Sequence, residues 1–433
     1  MSPEVIGILG VVALIVLIML RVKIAIALGI VGLVGYAALD GWDTAFIVLG
    51  TTPFDLTAGY ALSVMPLFIL MGVVSGHSGM SRELFDAANA LFSGRRGALA
   101  MATIGACAGF GCICGSSLAT AATMGRIAVP EMQRLGYDDR LSTGAVAMGG
   151  TLGILIPPSV MLVLYAIVAE QSVPQLFAAG LIPGIVLAGL QIVVVWVISR
   201  VLPGWTPDSV AVPWSRRLRQ LTGMWKLLIL FFLAVGGIYA GIFSPTEAAA
   251  VAAFGAIAIA ALTRSITWQV LLDSMVETVR TASMLFFILI TAFLFSYFLV
   301  RTQVPAGLVE WVKGTGLPPW LVMVTLVAFY VLLGCVLESI AMMLITVPVF
   351  LPLLLELGYD PVWFGVLLVV VIEIGLVTPP VGLNIFVIRS QVPEIPLSSI
   401  YAGIMPFLAA AFLLVVLMLA VPELALWLPG VLY

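Results

Sequence analysis

The sequence has 433 residues, of which 63% are hydrophobic and only 9% charged, and its 18 Lys and Arg nearly balance 21 Asp and Glu at a net charge of −3. Soluble domains carry about 25% charged residues, so this chain cannot cover a water-facing surface, and a soluble enzyme, a nucleic-acid binder and a disordered chain are all excluded. At about 20 apolar residues per spanning helix, it has room for about a dozen passes through a lipid bilayer.

In chain order, the first apolar run, Val5 to Leu20, follows acidic Glu4 and precedes Arg21 and Lys23. Those flanks reverse the signature of a cleaved signal peptide. The run is therefore expected to be a spanning helix with its N-terminus outside. His77, the sole histidine, falls in Ser75-Gly-His-Ser-Gly and is expected in a loop. Ser81 to Gly94 has helical spacing with its charges on one side, which predicts an amphipathic helix at the interface. From Gly97 an apolar run breaks at Gly115-Ser116-Ser117 and resumes. Two half-length helices meeting at a polar tip, a re-entrant hairpin near 97–133, are expected there. A broken helix is predicted near 150–160, at Gly150-Thr-Leu-Gly153-Ile-Leu-Ile-Pro157-Pro158-Ser159. Residues 1–199 form a first half.

Arg200, Arg216, Arg217, Arg219 and Lys226 share their stretch with Pro203, Pro207 and Pro213, so 200–226 is expected to be a cytoplasmic linker. The second half, 227–433, opens with Phe243-Ser-Pro-Thr-Glu247, a helix start that Glu247 would cap. Ile266 to Arg280 predicts a second interfacial amphipathic helix. The run from Trp320 breaks around Gly334-Cys-Val-Leu-Glu338-Ser339, giving a second hairpin near 320–355. A second broken helix is expected near 375–385, at Gly375-Leu-Val-Thr378-Pro379-Pro380-Val-Gly382-Leu-Asn384. No Lys or Arg follows Arg389, which puts the C-terminus outside.

A shift of 222 positions superposes the halves without a gap. Leu135-Gly136-Tyr137-Asp138 falls on Leu357-Gly358-Tyr359-Asp360, Gly153 on Gly375, Pro157-Pro158 on Pro379-Pro380, and Ser117 on Ser339. The first Gly-Tyr-Asp is ringed by Arg126, Arg134 and Arg140, whereas no Lys or Arg lies between Lys313 and Arg389. By the positive-inside rule the copies run through the bilayer in opposite directions. The fold class is therefore all-α and polytopic, with inverted-topology repeats, two re-entrant hairpins and broken helices. Such inverted repeats with interrupted helices at the midplane are the architecture of secondary transporters.

Adjacent prolines in mid-membrane remove amide donors and free carbonyls, and bare backbone at that depth persists only inside protein or along a cavity. Freed carbonyls suit a small hard cation, and half-helix N-termini suit an anion. Ionisable residues within the membrane are functional candidates. Glu338 at the second tip leads them, and Glu373 belongs either to the same site or to a helix interface. The cysteines Cys107, Cys112, Cys114 and Cys335 lack the paired spacing of a zinc site and read as small buried apolar residues. With no Walker motif and no convergent acid–base set, neither an ATPase nor a membrane enzyme is expected. A passive channel or scaffold subunit is the alternative to a carrier.

These residues resemble the large membrane subunit of the TRAP transporters (tripartite ATP-independent periplasmic transporters). The resemblance rests on Gly115-Ser-Ser-Leu-Ala-Thr-Ala-Ala-Thr-Met-Gly, Gly150-Thr-Leu-Gly-Ile-Leu-Ile-Pro-Pro-Ser, Gly241-Ile-Phe-Ser-Pro-Thr-Glu-Ala-Ala and Gly375-Leu-Val-Thr-Pro-Pro-Val-Gly-Leu-Asn. It runs from about residue 60 to 390. It implies a sodium-driven importer of a small organic anion, a carboxylate, in the bacterial inner membrane. The anion would come from a periplasmic substrate-binding protein, and a separate small four-helix membrane subunit would be a partner. An elevator-like motion of hairpins against a scaffold is implied as well. The resemblance also implies one sodium (Na+) site at Ser116, Ser117, Gly150, Gly153 and Pro157, and another at Gly334, Glu338, Thr378 and Gly382. Substrate would lie near Ser117, Ser159, Glu338 and Asn384. Many relatives have Asp where this chain has Glu338.

Overall fold

A computed structural model describes residues 2–208, 213–380 and 382–433, and among these there is no strand. The first half runs α1 (Pro3–Met19), α2 (Ile24–Asp40), α3 (Trp42–Thr57), α4 (Val64–His77), α5 (Met80–Phe92), α6 (Ala98–Cys114), α7 (Ser117–Arg134), α8 (Asp139–Thr151), α9 (Val160–Val168) and α10 (Val173–Val201). A short helix, α11 (Trp214–Leu221), follows. Next, α12 (Trp225–Phe231) passes through a π-turn at Phe232–Gly236 into α13 (Gly237–Tyr239). Then come α14 (Pro245–Leu262), α15 (Trp268–Arg301), α16 (Val304–Thr315), α17 (Pro319–Gly334), α18 (Ser339–Glu356), α19 (Pro361–Val377), α20 (Leu383–Gln391), α21 (Leu397–Ala420) and α22 (Glu423–Leu432). Seven of the described helical stretches are long and apolar enough to cross a bilayer.

The 222-residue period extends well beyond the shared motifs. Shifted by it, Ser117–Arg134 falls on Ser339–Glu356, α2 lies within one residue of the start of α14, and α1 begins where α12 begins. The copies differ at one join. In the first, α3 and α4 are separate; in the second, the matching residues form the single 34-residue α15. At 1.5 Å per residue α15 is about 51 Å long, more than the roughly 30 Å of hydrocarbon. The polar stretch from Ile266 to Arg280 is thus the front of a continuous rod, and no separate interfacial helix forms there. No Gly or Pro interrupts α15 to break it. The first amphipathic helix does stand alone, as α5.

Local chemistry explains the repeated Leu-Gly-Tyr-Asp. Gly136 (φ +83°) and Gly358 (φ +81°) take the left-handed conformation that ends α7 and α18. The next amides, of Tyr137 and Tyr359, bond back to Met132 and Leu354 carbonyls at 3.0 Å each, the usual glycine stop. One residue on, the Asp starts the following helix. The Asp138 carboxylate accepts from the Arg140 amide at 2.8 Å, and Asp360 accepts from Val362 and Trp363 at 2.8 and 3.0 Å. The motif is a reversal that turns each hairpin's second arm into its broken helix.

The helix α21 fixes the relative orientation of the copies. Near its start, Gly403 lies so close to the Arg140 carbonyl that a Cβ there would sit 2.0 Å from it. Near its end, the Met418 carbonyl accepts from the Trp363 indole at 3.1 Å. Fifteen residues of helix, about 22 Å, separate the reversal of the first hairpin from that of the second. The reversals therefore lie at opposite ends of the molecule, and the repeats are inverted. One end is rich in arginine. There Arg140 stacks 5.1 Å over Trp205, Arg217 donates to the Ser93 carbonyl, and Lys226 meets Glu83 at 2.7 Å. At the other end Lys313 pairs with Glu356. The copies also interlock: α20 of the second packs on α7 of the first, and α9 of the first packs on α18 of the second.

Candidate functional site

Both hairpins end in the centre, and each is seated there by a backbone crossing that only glycine allows. In the first copy a Cβ on Gly111 would stand 2.3 Å from the Gly153 Cα. In the second, a Cβ on Gly334 would stand 2.9 Å from the Gly375 Cα. Each crossing presses a hairpin's first arm onto the broken helix beside it. Pro157-Pro158 and Pro379-Pro380, whose internal peptide bonds are both cis, interrupt those broken helices.

In the first copy, Ser116 caps α7, its Oγ accepting from the Ala119 amide at 3.3 Å. Gly150 and Gly153 bring the broken helix against the tip, where Cβ atoms would lie 3.2 Å from the Ser117 carbonyl, 3.3 Å from the Ser116 carbonyl and 2.8 Å from Thr120 Oγ1. Thr120 is buried and its hydroxyl has no close hydrogen-bond partner among the described residues. Pro157 is buried inside the break. The structure therefore assembles Ser116, Ser117, Gly150, Gly153 and Pro157 in one place, with Thr120 added.

In the second copy, Glu338 caps α18. Its carboxylate accepts from the Ala341 amide and the Ser339 hydroxyl, both at 3.2 Å. Thr378 ends α19, its hydroxyl donating to the Ile374 carbonyl at 2.6 Å. Gly382 (φ +64°) starts α20, and Gly334 lies at the crossing.

The two copies are joined by Glu373, which occupies the position matching Thr151 of the first copy. Ser117 donates to one oxygen of its carboxylate at 3.1 Å. Among the described residues the other oxygen has no close hydrogen-bond partner, and the fully buried Asn384 amide, itself without one, faces the same carboxyl group. Glu338 lies within electrostatic reach of Glu373, and among the described residues neither carboxylate forms an ion pair.

A cavity of about 310 Å³ opens beside the tips, walled by Ser116, Ser117, Glu338 and Ser339 among others. Ser159 does not reach it. Fully buried, it donates to the Ile154 carbonyl at 2.5 Å and accepts from the Leu162 amide at 3.3 Å, which ties down the break. Asn384 lies behind the cavity wall, near Glu373.

Two cavity residues, His77 and Arg126, and the tip residue Thr120 escaped sequence reasoning. His77 is the last residue of α4 and not a loop residue; it contacts Ser274 at 2.9 Å and Glu277 at 3.3 Å on α15. Arg126 lines the cavity from α7 with no ion-pair partner among the described residues. Thr120 lies four residues after Ser116, a helical spacing that could have flagged it. Glu247, by contrast, forms the expected capping box with Ser244.

Residues 11–424 match the family described as the tripartite ATP-independent periplasmic transporter, DctM component. The chain is 38% identical to the C4-dicarboxylate TRAP transporter large permease protein DctM of Pseudomonas aeruginosa, over 87% of this chain and 88% of that one. It is 31% identical to the isethionate TRAP transporter permease protein DctMQ of Oleidesulfovibrio alaskensis, over 95% of this chain and 65% of that longer protein. Its fold resembles the crystal structure of the Alcanivorax borkumensis YdaH transporter, with a TM-score of 0.63, 16% identity and 88% of each chain covered. The chain therefore belongs to the DctM family of TRAP transporter large permeases, multi-pass proteins of the bacterial inner membrane that are carriers and not enzymes.

Proposed function

We propose that this permease imports a small organic anion, of the carboxylate class, together with sodium, taking the anion from a periplasmic binding protein and working with a small four-helix membrane subunit. The observation that carries the reading is the centre itself. Two carboxylates, Glu338 and Glu373, converge there with no ion-pair partner among the described residues, beside buried oxygens of Thr120, Glu373 and Asn384 that have no close hydrogen-bond partner among them. Hard oxygen donors with surplus negative charge favour a small cation.

One sodium is held by the Ser116 and Ser117 carbonyls with Thr120, in the cradle left by Gly150 and Gly153 and closed by Pro157. A second lies among Gly334, Glu338, Thr378 and Gly382, with Glu373 supplying counter-charge between them. The anion binds between the tips, at Ser117 and Glu338, with Ser159 and Asn384 supporting from behind. The N-termini of α7 and α18 bring positive dipole ends to the same place, and Arg126 supplies a full positive charge along the wall. The arginine-rich end faces the cytoplasm by the positive-inside rule. Both hairpins and broken helices move as an elevator against the frame in which α2 packs on α15 and α4 on α14. The relatives named for C4-dicarboxylate and isethionate both handle small anions, which supports the substrate class.

Uptake into proteoliposomes containing both membrane subunits tests this reading. Accumulation should require an inward sodium gradient and a loaded binding protein together. Uptake without the gradient would refute the coupling, and uptake without the binding protein would refute the delivery.

A further inference from the structure

Away from the centre, the arginine-rich end carries a second pocket that transport does not use. The loop Ser93-Gly94-Arg95-Arg96-Gly97 joins α5 to the first hairpin, and it meets the last turn of α10 around a cavity of about 370 Å³ lined by Arg95, Arg96, Trp196, Ser199 and Arg200. The Arg200 guanidinium lies 4.1 Å over the Trp196 ring. Arg96 donates to Asp208, a carboxylate that is itself 85% exposed. Among the described residues Arg95 makes a single 3.4 Å contact, to the Leu91 carbonyl. Three guanidinium groups from two elements thus surround one space, opposed among the described residues by the loosely held carboxylate of Asp208.

What distinguishes this pocket from an ordinary basic surface is the strip leading into it. Along α10, Ile185, Gly189, Val193, Trp196 and Val197 are exposed at helical spacing on one face, which ends at Arg200. An apolar stripe that faces hydrocarbon and terminates in a Trp at the interface and a cluster of arginines has the layout of an acyl chain beneath a phosphate. Arginine pairs with phosphate oxygens through paired N–H donors, and basic pockets on the cytoplasmic side of membrane helices favour anionic headgroups.

We propose that Arg95, Arg96 and Arg200 form a binding site for the headgroup of an anionic phospholipid of the inner leaflet, with one acyl chain lying along Ile185, Val193 and Val197. Asp208 competes with the phosphate for Arg96 and is displaced when the lipid binds.

The test measures retained lipid by native mass spectrometry, and thermal stability in detergent, with phosphatidylglycerol, phosphatidylcholine and inorganic phosphate as probes. Phosphatidylglycerol should be retained several-fold more than phosphatidylcholine and should raise the unfolding midpoint, while inorganic phosphate should not. The variant Arg95→Gln/Arg96→Gln/Arg200→Gln should lose that preference, and Asp208→Asn should strengthen it. Arg95→Gln alone, at an exposed side chain, should weaken retention even if the triple variant folds poorly. Equal retention of the two lipids by the wild type, or unchanged preference in Arg95→Gln, would overturn the proposal. A midpoint rise with inorganic phosphate equal to that with phosphatidylglycerol would overturn it too, by making the pocket a site for soluble anions.

Discussion

Replacing Gly111 by Ala probes the crossing that seats the first hairpin. The new Cβ would meet the Gly153 Cα at 2.3 Å, whereas ordinary contact begins at 3.4 Å, so the two backbones must part by about 1.1 Å at that point. Overpacking of this type costs about 1–3 kcal/mol. The upper end applies because the obstacle is main chain that no side-chain rotation can move. A cost of about 3 kcal/mol lowers the population with the tip seated by about two orders of magnitude. Gly153→Ala should be milder, nearer 1 kcal/mol, because its closest obstacle is the Thr120 hydroxyl at 2.8 Å, which can rotate. Gly50 in α3 has open space for 4 Å around the point where a Cβ would stand, so Gly50→Ala is the control and should be neutral or slightly stabilising. Thermal unfolding of the purified variants, followed with and without sodium, reads both effects. Gly111→Ala should unfold earliest and show the weakest sodium response. If Gly111→Ala unfolds and responds to sodium as Gly50→Ala does, the reasoning about the crossing is wrong.

Other consequences follow from single side chains. Glu373→Gln keeps the shape but removes the carboxylate that sodium would engage, one oxygen of which has no hydrogen-bond partner among the described residues. The sodium-free protein should be no less stable, while a charge-assisted contribution of about 1.5–3 kcal/mol should disappear from sodium binding, weakening it about ten- to a hundred-fold; an unchanged sodium titration would contradict this. Arg126→Gln should raise the KM for anion uptake about five- to thirty-fold, for a loss of about 1–2 kcal/mol, while leaving the sodium response intact. Ser244→Ala breaks the capping box of α14 and should cost about 1 kcal/mol of stability, lowering the unfolding midpoint without changing uptake per folded molecule.

The fold was legible because its punctuation is chemical. Glycine stops, aspartate caps and paired prolines impose their geometry wherever they occur, and repeating them at one spacing exposes the duplication. The charge asymmetry around the two Gly-Tyr-Asp turns then revealed the inversion. Flanking regions were harder to read. The correspondence of α1 with α12 and of α2 with α14 carries no shared unusual residue, since lipid-facing positions need only be apolar and any aliphatic residue serves. The join within α15 was missed for a related reason: charges on one side of a segment say that it meets water, and nothing about whether the helix continues.

The site divided along the same line. Ser116, Ser117, Glu338 and the glycines lie at the breaks themselves, so local pattern found them. Glu373 stood out in the sequence as a charge within a membrane segment, with its place left open between the site and a helix interface; it, Arg126 and His77 are brought to the centre by packing between elements far apart in the chain. Ser117 and Glu373 are 256 residues apart, a pairing that no local spacing encodes. Ser159 shows the opposite limit. A serine after two prolines looks available to a ligand, yet its hydroxyl is committed to the carbonyl of Ile154.

The most direct measurement is equilibrium binding of radioactive sodium to the purified permease in a potassium chloride background. Saturable binding, displaced by unlabelled sodium and not by further potassium, is the expected result. A strictly linear, non-saturating signal, identical in the wild type and Glu373→Gln, would contradict cation sites at the two hairpin tips.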